Sequence, residues 1–423
     1  MTAAKTVRFL LRAMYKLYLF KGMISLAEII AVKTGKTYKG TYGVDHIEVP
    51  AEAGNKITVK ARGGNDRFEV NGGKNLRIYG EGGDDWIIVN NGSIAQINTG
   101  IDKDRVKVLG GTVSTIKTGK GDDEVLISAG TVKSVNLGAG SNTLEVTGGT
   151  VGKIVSGSGA DVITVAQQKS LNISAGSGNN EITVTGINDS TSASAVSKGK
   201  IVSGSGEDTI IVNNGGFYRI TTGSGKDTVT INGGSHIIKT EKGDDVIEIT
   251  SNRANYLNAG AGNDTVTLNG STSYNKIIGG AGDDTLTINN TGRNLVEGGK
   301  GSDTYIIASL NGQTIINNSS AGKKDKDTLQ INGSITEVYD LAYDKKRDIL
   351  KCNDIYIKGF KKLNKIILTD YTFSAREVMN ESYSCNLGGL NTELNAYNKK
   401  LTTVMKKGFV TDSLAITAGY ESK

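Results

Sequence analysis

The chain has one proline, one tryptophan, two histidines and two cysteines in 423 residues, and each scarcity removes a class of protein. Glycine supplies 57 residues without a strict triplet period, so with a single proline a collagen is excluded. Val, Ile and Leu recur regularly, which argues against disorder. Cys352 and Cys385 lie 33 residues apart with no C-x-x-C spacing; they either pair or stay free, and neither marks a zinc or redox motif. His46 and His236 stand in no metal-ligand spacing. No H-E-x-x-H or G-x-S-x-G occurs, so the zinc-protease and serine-hydrolase signatures are missing. No apolar run is long enough to span a membrane. Val7 to Phe20 is apolar but broken by Arg8, Arg12 and Lys16, with no small-x-small cleavage site behind it, so an ordinary N-terminal signal peptide is not expected.

A uniform charge is missing too. The net +6 divides into +7 for residues 1–39, −5 for 40–320 and +4 for 321–423. The basic excess sits at the ends without a groove-tracking series of aromatics, so no nucleic-acid partner is expected.

What the chain does contain is a repeat. One column reads Asp45, Asp66, Asp85, Asp104, Asp123, Asn142, Asp161, Asn180, Asp208, Asp227, Asp245, Asp264, Asp284, Asp303. Six consecutive steps from Asp66 to Asn180 are 19 residues each; the later ones are 28, 19, 18, 19, 20 and 19, and a degenerate copy follows at Asp327. Two residues before the aspartate stands glycine in nearly every copy, from Gly64 to Gly301. Two and four residues after it come apolar positions such as Phe68/Val70, Val125/Ile127 and Leu286/Ile288, with polar residues between. That period of two is a half-buried strand. Seven residues before the aspartate a second apolar column runs from Val59 and Ile78 to Ile277 and Val296. A second turn follows the first strand, often Asn-Gly-Gly, as at Asn71-Gly72-Gly73 and Asn232-Gly233-Gly234.

Each copy therefore reads strand, Gly-x-Asp turn, strand, Asn/Gly turn. One such coil cannot bury its own apolar residues, whereas stacked coils can. The expected fold is all-β: a parallel β-roll or β-solenoid of about fourteen coils, each with two short strands and typically 19 residues.

Register stacking puts equivalent carboxylates about 5 Å apart, where two of them repel by roughly 1 kcal/mol in water and more at a surface. A cation between successive turns removes that conflict. Calcium suits the chemistry, because it takes six to eight oxygens from carboxylates and backbone carbonyls. Asp and Gly are also favoured in turns for local reasons, but twelve aspartates in register call for more than turn propensity. All twelve are candidate calcium ligands, set along one edge of the solenoid. Asn142 and Asn180 are expected to leave weaker sites in the middle.

The run Gly279-Gly280-Ala281-Gly282-Asp283-Asp284-Thr285-Leu286-Thr287 resembles the G-G-x-G-x-D-x-U-x nonapeptide of the RTX (hemolysin-type) calcium-binding family at every fixed position. Residues 298–306 nearly do, and residues 259–266 lose one glycine. The similarity covers roughly residues 40–333. It implies a calcium turn in the glycine-rich six residues and export by type I secretion through an uncleaved C-terminal signal. Three departures matter: an Asn/Gly half-repeat alternates with the nonapeptide, asparagine replaces aspartate twice, and Asp102 stands where the Asp104 turn should have glycine.

At the ends, Val7, Leu10, Leu11, Met14, Leu17 and Tyr18 share a helical face, so residues 1–39 are expected to form an amphipathic helical cap. Membrane contact by that helix is the less favoured role. Residues 40–333 are the solenoid and 334–370 a β capping segment. Residues 371–423 form a tail with a C-terminal helix, serving as secretion signal or second cap. The whole reads as a secreted, extracellular calcium-binding protein with a structural or surface-interaction role and no catalytic apparatus, its partner a cell surface or carbohydrate. A glycan-processing β-helix enzyme, or a toxin or adhesin component, is the alternative. Thr-x-Thr pairs at 228/230, 265/267 and 285/287 suggest an ice-binding array, but Val246 and Glu248 interrupt them.

Overall fold

The computed structural model describes residues 27–187, 197–270, 274–318, 322, 324–332, 342–344, 346–367 and 372–374. They form an all-β parallel β-solenoid of about fifteen turns, divided into two compact units. The first comprises Met1–Thr143 with Thr147–Thr150, the second Leu144–Val146 with Val151–Lys423.

In the first unit, the strands following each aspartate pair in parallel without slippage. Arg67 faces Trp86, Trp86 faces Arg105, and Arg105 faces Glu124. The strands preceding each aspartate also pair in parallel, with Val59, Ile78, Ile97, Ile116 and Val135 in register and one shift of register between Leu76 and Arg77. The second unit repeats the arrangement. Its 28-residue step does not disturb the ladder: Ile182 pairs with Ile210 and Ile173 with Ile201. The extra residues lie beyond the strand ends, and 188–196 fall outside the described residues.

Alternation along each strand fixes what is buried. The inward columns two and four residues after the aspartate and seven before it are sealed, Phe68, Val70, Ile116, Val125, Ile220 and Ile288 among them. A fourth inward column was not anticipated. It runs through Ile57, Leu76, Ile94, Val113 and Val132 in the first unit, and through Val151 and Leu171 in the second. It follows the Asn/Gly turn, whose length varies by a residue, so it keeps no constant distance from the aspartate. Further along the second unit the same column turns polar, with buried His236, Asn255, Asn275 and Asn294. There the side chains build a ladder: the His236 N–H donates to Asn255 Oδ1 at 2.9 Å, and the Asn255 N–H to Asn275 Oδ1 at 3.1 Å.

The ends depart from the expected boundaries. Ala27–Ile30 pairs in parallel with Asp45–Val49, and Thr37–Lys39 with Thr58–Gly63. Ala27–Ile30 and Thr37–Lys39 are therefore solenoid strands joined by a turn, not part of a helical cap, because parallel pairing satisfies their backbone. The remaining cap residues, 1–26, lie outside the described residues. At the other end Asp327–Ile331 continues the parallel sheet. A change to antiparallel pairing then closes it: Ala342–Asp344, Ile349–Cys352 and Ile355–Lys358 form a meander, and Leu363–Ile367 pairs with Thr372–Ser374. Phe360 is sealed in this closing segment. The helix expected in the tail falls outside the described residues.

Ile116 is wholly buried while its neighbour Lys117 faces solvent. Ile116→Ala is expected to lower unfolding free energy by roughly 2–5 kcal/mol and Lys117→Ala by less than about 0.5 kcal/mol in denaturant titrations. Equal effects would contradict the assigned register.

Candidate metal centre

The aspartate column is inside the turn, not on its rim. From Asp45 to Asp327 each aspartate is at most 2% exposed. Its Oδ1 accepts the backbone N–H of the preceding coil's equivalent residue: Asp45 to Asp66 at 2.7 Å, Asp66 to Asp85 at 2.9 Å, Asp227 to Asp245 at 2.8 Å, Asp303 to Asp327 at 2.9 Å. Asp161 joins the same ladder, its N–H donating to Asn180 Oδ1 at 3.2 Å. Asp327 thus takes the degenerate last place in the column.

The other carboxylate oxygen is the unusual atom. Oδ2 of Asp66, Asp85, Asp104, Asp123, Asp208, Asp227, Asp245, Asp264, Asp284, Asp303 and Asp327 is buried without a hydrogen-bond partner. The two asparagines explain what it faces. Asn142 Nδ2 donates to the carbonyl oxygen of Gly140 at 3.0 Å, and Asn180 Nδ2 to that of Gly178 at 2.8 Å. Each amide nitrogen takes the carboxylate position and bonds the carbonyl of the glycine two residues before it. In an aspartate coil an oxygen stands in place of that nitrogen, so two acceptors face each other. Only a proton or a cation satisfies both. Asp45 is the exception: Thr41 donates its N–H to Oδ2 at 2.6 Å and its hydroxyl to Oδ1 at 2.9 Å.

The glycines place those carbonyls. Gly225 adopts φ +132°, and a Cβ on it would lie 1.9 Å from the Gly206 carbonyl oxygen of the preceding coil. The glycine carbonyls thus stack along the axis with no room for side chains. Asp102, which breaks the glycine rule, keeps the turn geometry by adopting φ 77°, and its Oδ2 accepts the Gly83 N–H at 3.0 Å.

A second, outer ladder runs the opposite way one residue earlier. The Asp84 N–H donates to Asn65 Oδ1, the Lys103 N–H to Asp84 Oδ1 and the Asp283 N–H to Asn263 Oδ1, at 2.8–3.0 Å. Sequence reasoning missed its role, although Asn65, Asp84, Asp122, Asn179, Asp244, Asn263 and Asp283 stand at one fixed offset.

Burial, first, raises the pKa of eleven of these carboxyls. Asp85 and Asp284 are pushed up to about 8, and neighbouring aspartates add to the shift. Asp66, Asp104, Asp264 and Asp303 rise to about 7 and Asp245 to about 6. Asp123, Asp208, Asp227 and Asp327 are raised for the same reason. The amide bond to Oδ1 opposes the shift without cancelling it.

Among the described residues no three His, Cys, Asp or Glu side chains converge on one point. A metal here would therefore take one buried carboxylate oxygen per turn and complete its shell with backbone carbonyls. The orphaned, buried Oδ2 atoms fit calcium, a hard cation that binds oxygen alone. The histidines play no part. His236 stacks on Tyr218 at 5.8 Å between ring centroids, with Nε2 3.0 Å from the Gly233 carbonyl oxygen, and burial lowers its pKa to about 4.

No family model matches the chain, and no curated protein matches it. Among solved structures it is similar to the X-ray structure of a hyperactive, Ca2+-dependent, β-helical antifreeze protein from an Antarctic bacterium. The identity is 15% and the TM-score 0.46, over 83% of this chain and 94% of that one.

The raised pKa values set a pH dependence. An unfolded aspartate titrates near 3.9, so between about pH 4 and 8 the metal-free fold holds protons that the unfolded chain has released. These carboxyls contribute stability that is complete below about pH 4 and lost as pH rises through 6–8. The metal-free thermal midpoint is expected to be higher at pH 5 than at pH 8.5. A midpoint that does not change across that window would contradict the buried column.

Proposed function

We propose that the protein is a secreted calcium-binding repeat protein of RTX type, whose solenoid is stabilised by ions at the Gly-x-Asp turns and serves as a structural or surface-interaction scaffold. The observation that carries this reading is the pair of acceptors, carboxylate Oδ2 and glycine carbonyl, inferred to face each other in the aspartate coils from the bonds made at Asn142 and Asn180. Bound calcium would supply positive charge between them, which no side chain of the turn provides. Magnesium demands a small, regular octahedron with retained waters, and zinc prefers nitrogen and sulfur, so an all-oxygen turn of backbone carbonyls favours calcium. Extracellular calcium is near the dissociation constants of such modules, about 10⁻⁴–10⁻³ M. A chain loose at cytosolic calcium would fold after export, for which the tail beyond residue 371 is the proposed signal.

The carboxylates of this protein recur once per coil, and a repeated group suits a lattice of ions better than a single acid–base site. A non-enzymatic role follows, with a cell-surface or carbohydrate ligand as the proposed partner.

Thermal unfolding of the full chain in calcium, magnesium and chelator tests the reading. At about 1 mM calcium and a dissociation constant near 10⁻⁴ M each occupied site adds roughly 1.4 kcal/mol. Several sites should therefore raise the midpoint by roughly 10 °C, with magnesium doing far less. Indifference to chelator would leave a metal-independent solenoid.

A further inference from the structure

The residue five before each aspartate divides the column into two kinds of coil. It is glycine or alanine for Asp66, Asp85, Asp264, Asp284 and Asp303: Ala61, Gly80, Ala259, Gly279 and Gly298. It is a hydroxyl residue for Asp104, Asp123, Asp161, Asp208, Asp227 and Asp245: Thr99, Thr118, Ser156, Ser203, Thr222 and Thr240. For Asn142 and Asn180, whose amides bond their own turn, it is Leu137 and Ala175, with no hydroxyl.

All of them but Ser156 donate to a backbone carbonyl of the next coil. Thr99 Oγ1 donates to the Thr118 carbonyl oxygen at 2.9 Å, Thr118 to Leu137 at 2.6 Å, Thr222 to Thr240 at 3.0 Å and Thr240 to Ala259 at 2.7 Å. Each also acts on its own aspartate, opposing the rise in pKa that burial causes. A hydroxyl accepts as well as donates. It takes a proton from a neutral carboxyl while serving the carbonyl, or turns its own proton to an ionised one.

The glycine coils have no such donor. At Gly80 the place of a Cβ lies 2.0 Å from Asp85 Oδ2 and 2.6 Å from the Thr99 carbonyl oxygen; at Gly279 it lies 2.3 Å from Asp284 Oδ2 and 2.8 Å from the Gly298 carbonyl oxygen. Carboxylate and carbonyl converge on a spot with no proton to share. Alanine offers only a methyl group. At Asp303 the nearby Tyr305 hydroxyl gives its proton to Asn318 Oδ1 at 2.9 Å.

We propose that this position decides which coils take calcium: Asp66, Asp85, Asp264, Asp284 and Asp303, preceded by glycine or alanine and with Oδ2 unpartnered, are ion sites, and the six aspartates preceded by a hydroxyl hold their carboxyls without metal. The inference rests on the calcium reading above and sharpens it. Ions gather at Asp66 and Asp85 in the first unit and at Asp264, Asp284 and Asp303 in the second, while the coils from Asp104 to Asp245 are metal-independent.

Elemental analysis of the folded full chain, dialysed against calcium, counts the ions, and a structure determined in calcium locates them. Two conservative exchanges shift the count in opposite directions. Ala259→Ser supplies the missing hydroxyl and is expected to remove one ion; Thr222→Ala removes a hydroxyl and is expected to add one. Circular dichroism confirms that both variants fold. On chelation, hydrogen exchange should rise first around Asp66–Asp85 and Asp264–Asp303. Ions at the hydroxyl coils, or no change of count in folded variants, would overturn the proposal while leaving calcium binding intact. No bound calcium anywhere would refute the calcium reading itself.

Discussion

A carboxylate buried where only half of its hydrogen-bonding capacity is met is the constraint around which the coils are organised. Oδ1 of each aspartate is anchored on the backbone N–H of the coil before it, as from Asp85 to Asp104 at 2.9 Å, so the column is a structural ladder before it is anything else. That bond fixes the register of successive turns and leaves Oδ2 facing inward. Leaving a buried polar group unsatisfied costs about 1–3 kcal/mol, more if it is charged. Repeated once per coil, the deficit is comparable to the net stability of an ordinary domain.

The rest of the turn follows from that placement. Carbonyls must point along the axis to meet the carboxylate, and this pushes the glycines into conformations that side chains resist. Where a non-glycine residue intrudes, it accepts the same backbone, as Glu81 and Glu241 do at φ 77° and 72°. The apolar columns supply the generic cohesion of a solenoid, while the aspartate turn makes its stability conditional on protons or metal.

The fold was legible because the repeat enforces it: the offset between Asp66 and Asp85 gave the register, and the alternation at Phe68 and Val70 gave the inward face. The aspartates were legible as a column, but their burial was not. A carboxylate facing a cation across an open turn and one bonded to the amide of the coil before it leave the same trace in one-letter code. The fourth apolar column, Leu76 and Ile94 among its members, was hidden by a turn that gains or loses a residue. The hydroxyls at Thr99 and Thr118 were visible yet unread, since their meaning depends on which carbonyl and carboxyl they stand between. The strand Ala27–Ile30 was obscured because Ala27 stands where the next coil has Asp45, without glycine two residues before it.

The central claim is that the carboxyls whose pKa burial raises to about 7 or 8 still carry protons in the metal-free fold near pH 6. Infrared difference spectroscopy of the folded, metal-free protein at pH 6, with bulk proton release followed on adding calcium, tests it most directly. The account predicts a protonated-carboxyl band far above the pH where aspartate normally ionises, reduced on calcium addition together with release of protons. A metal-free fold whose aspartates are already fully ionised at that pH, with no protons released, would contradict it.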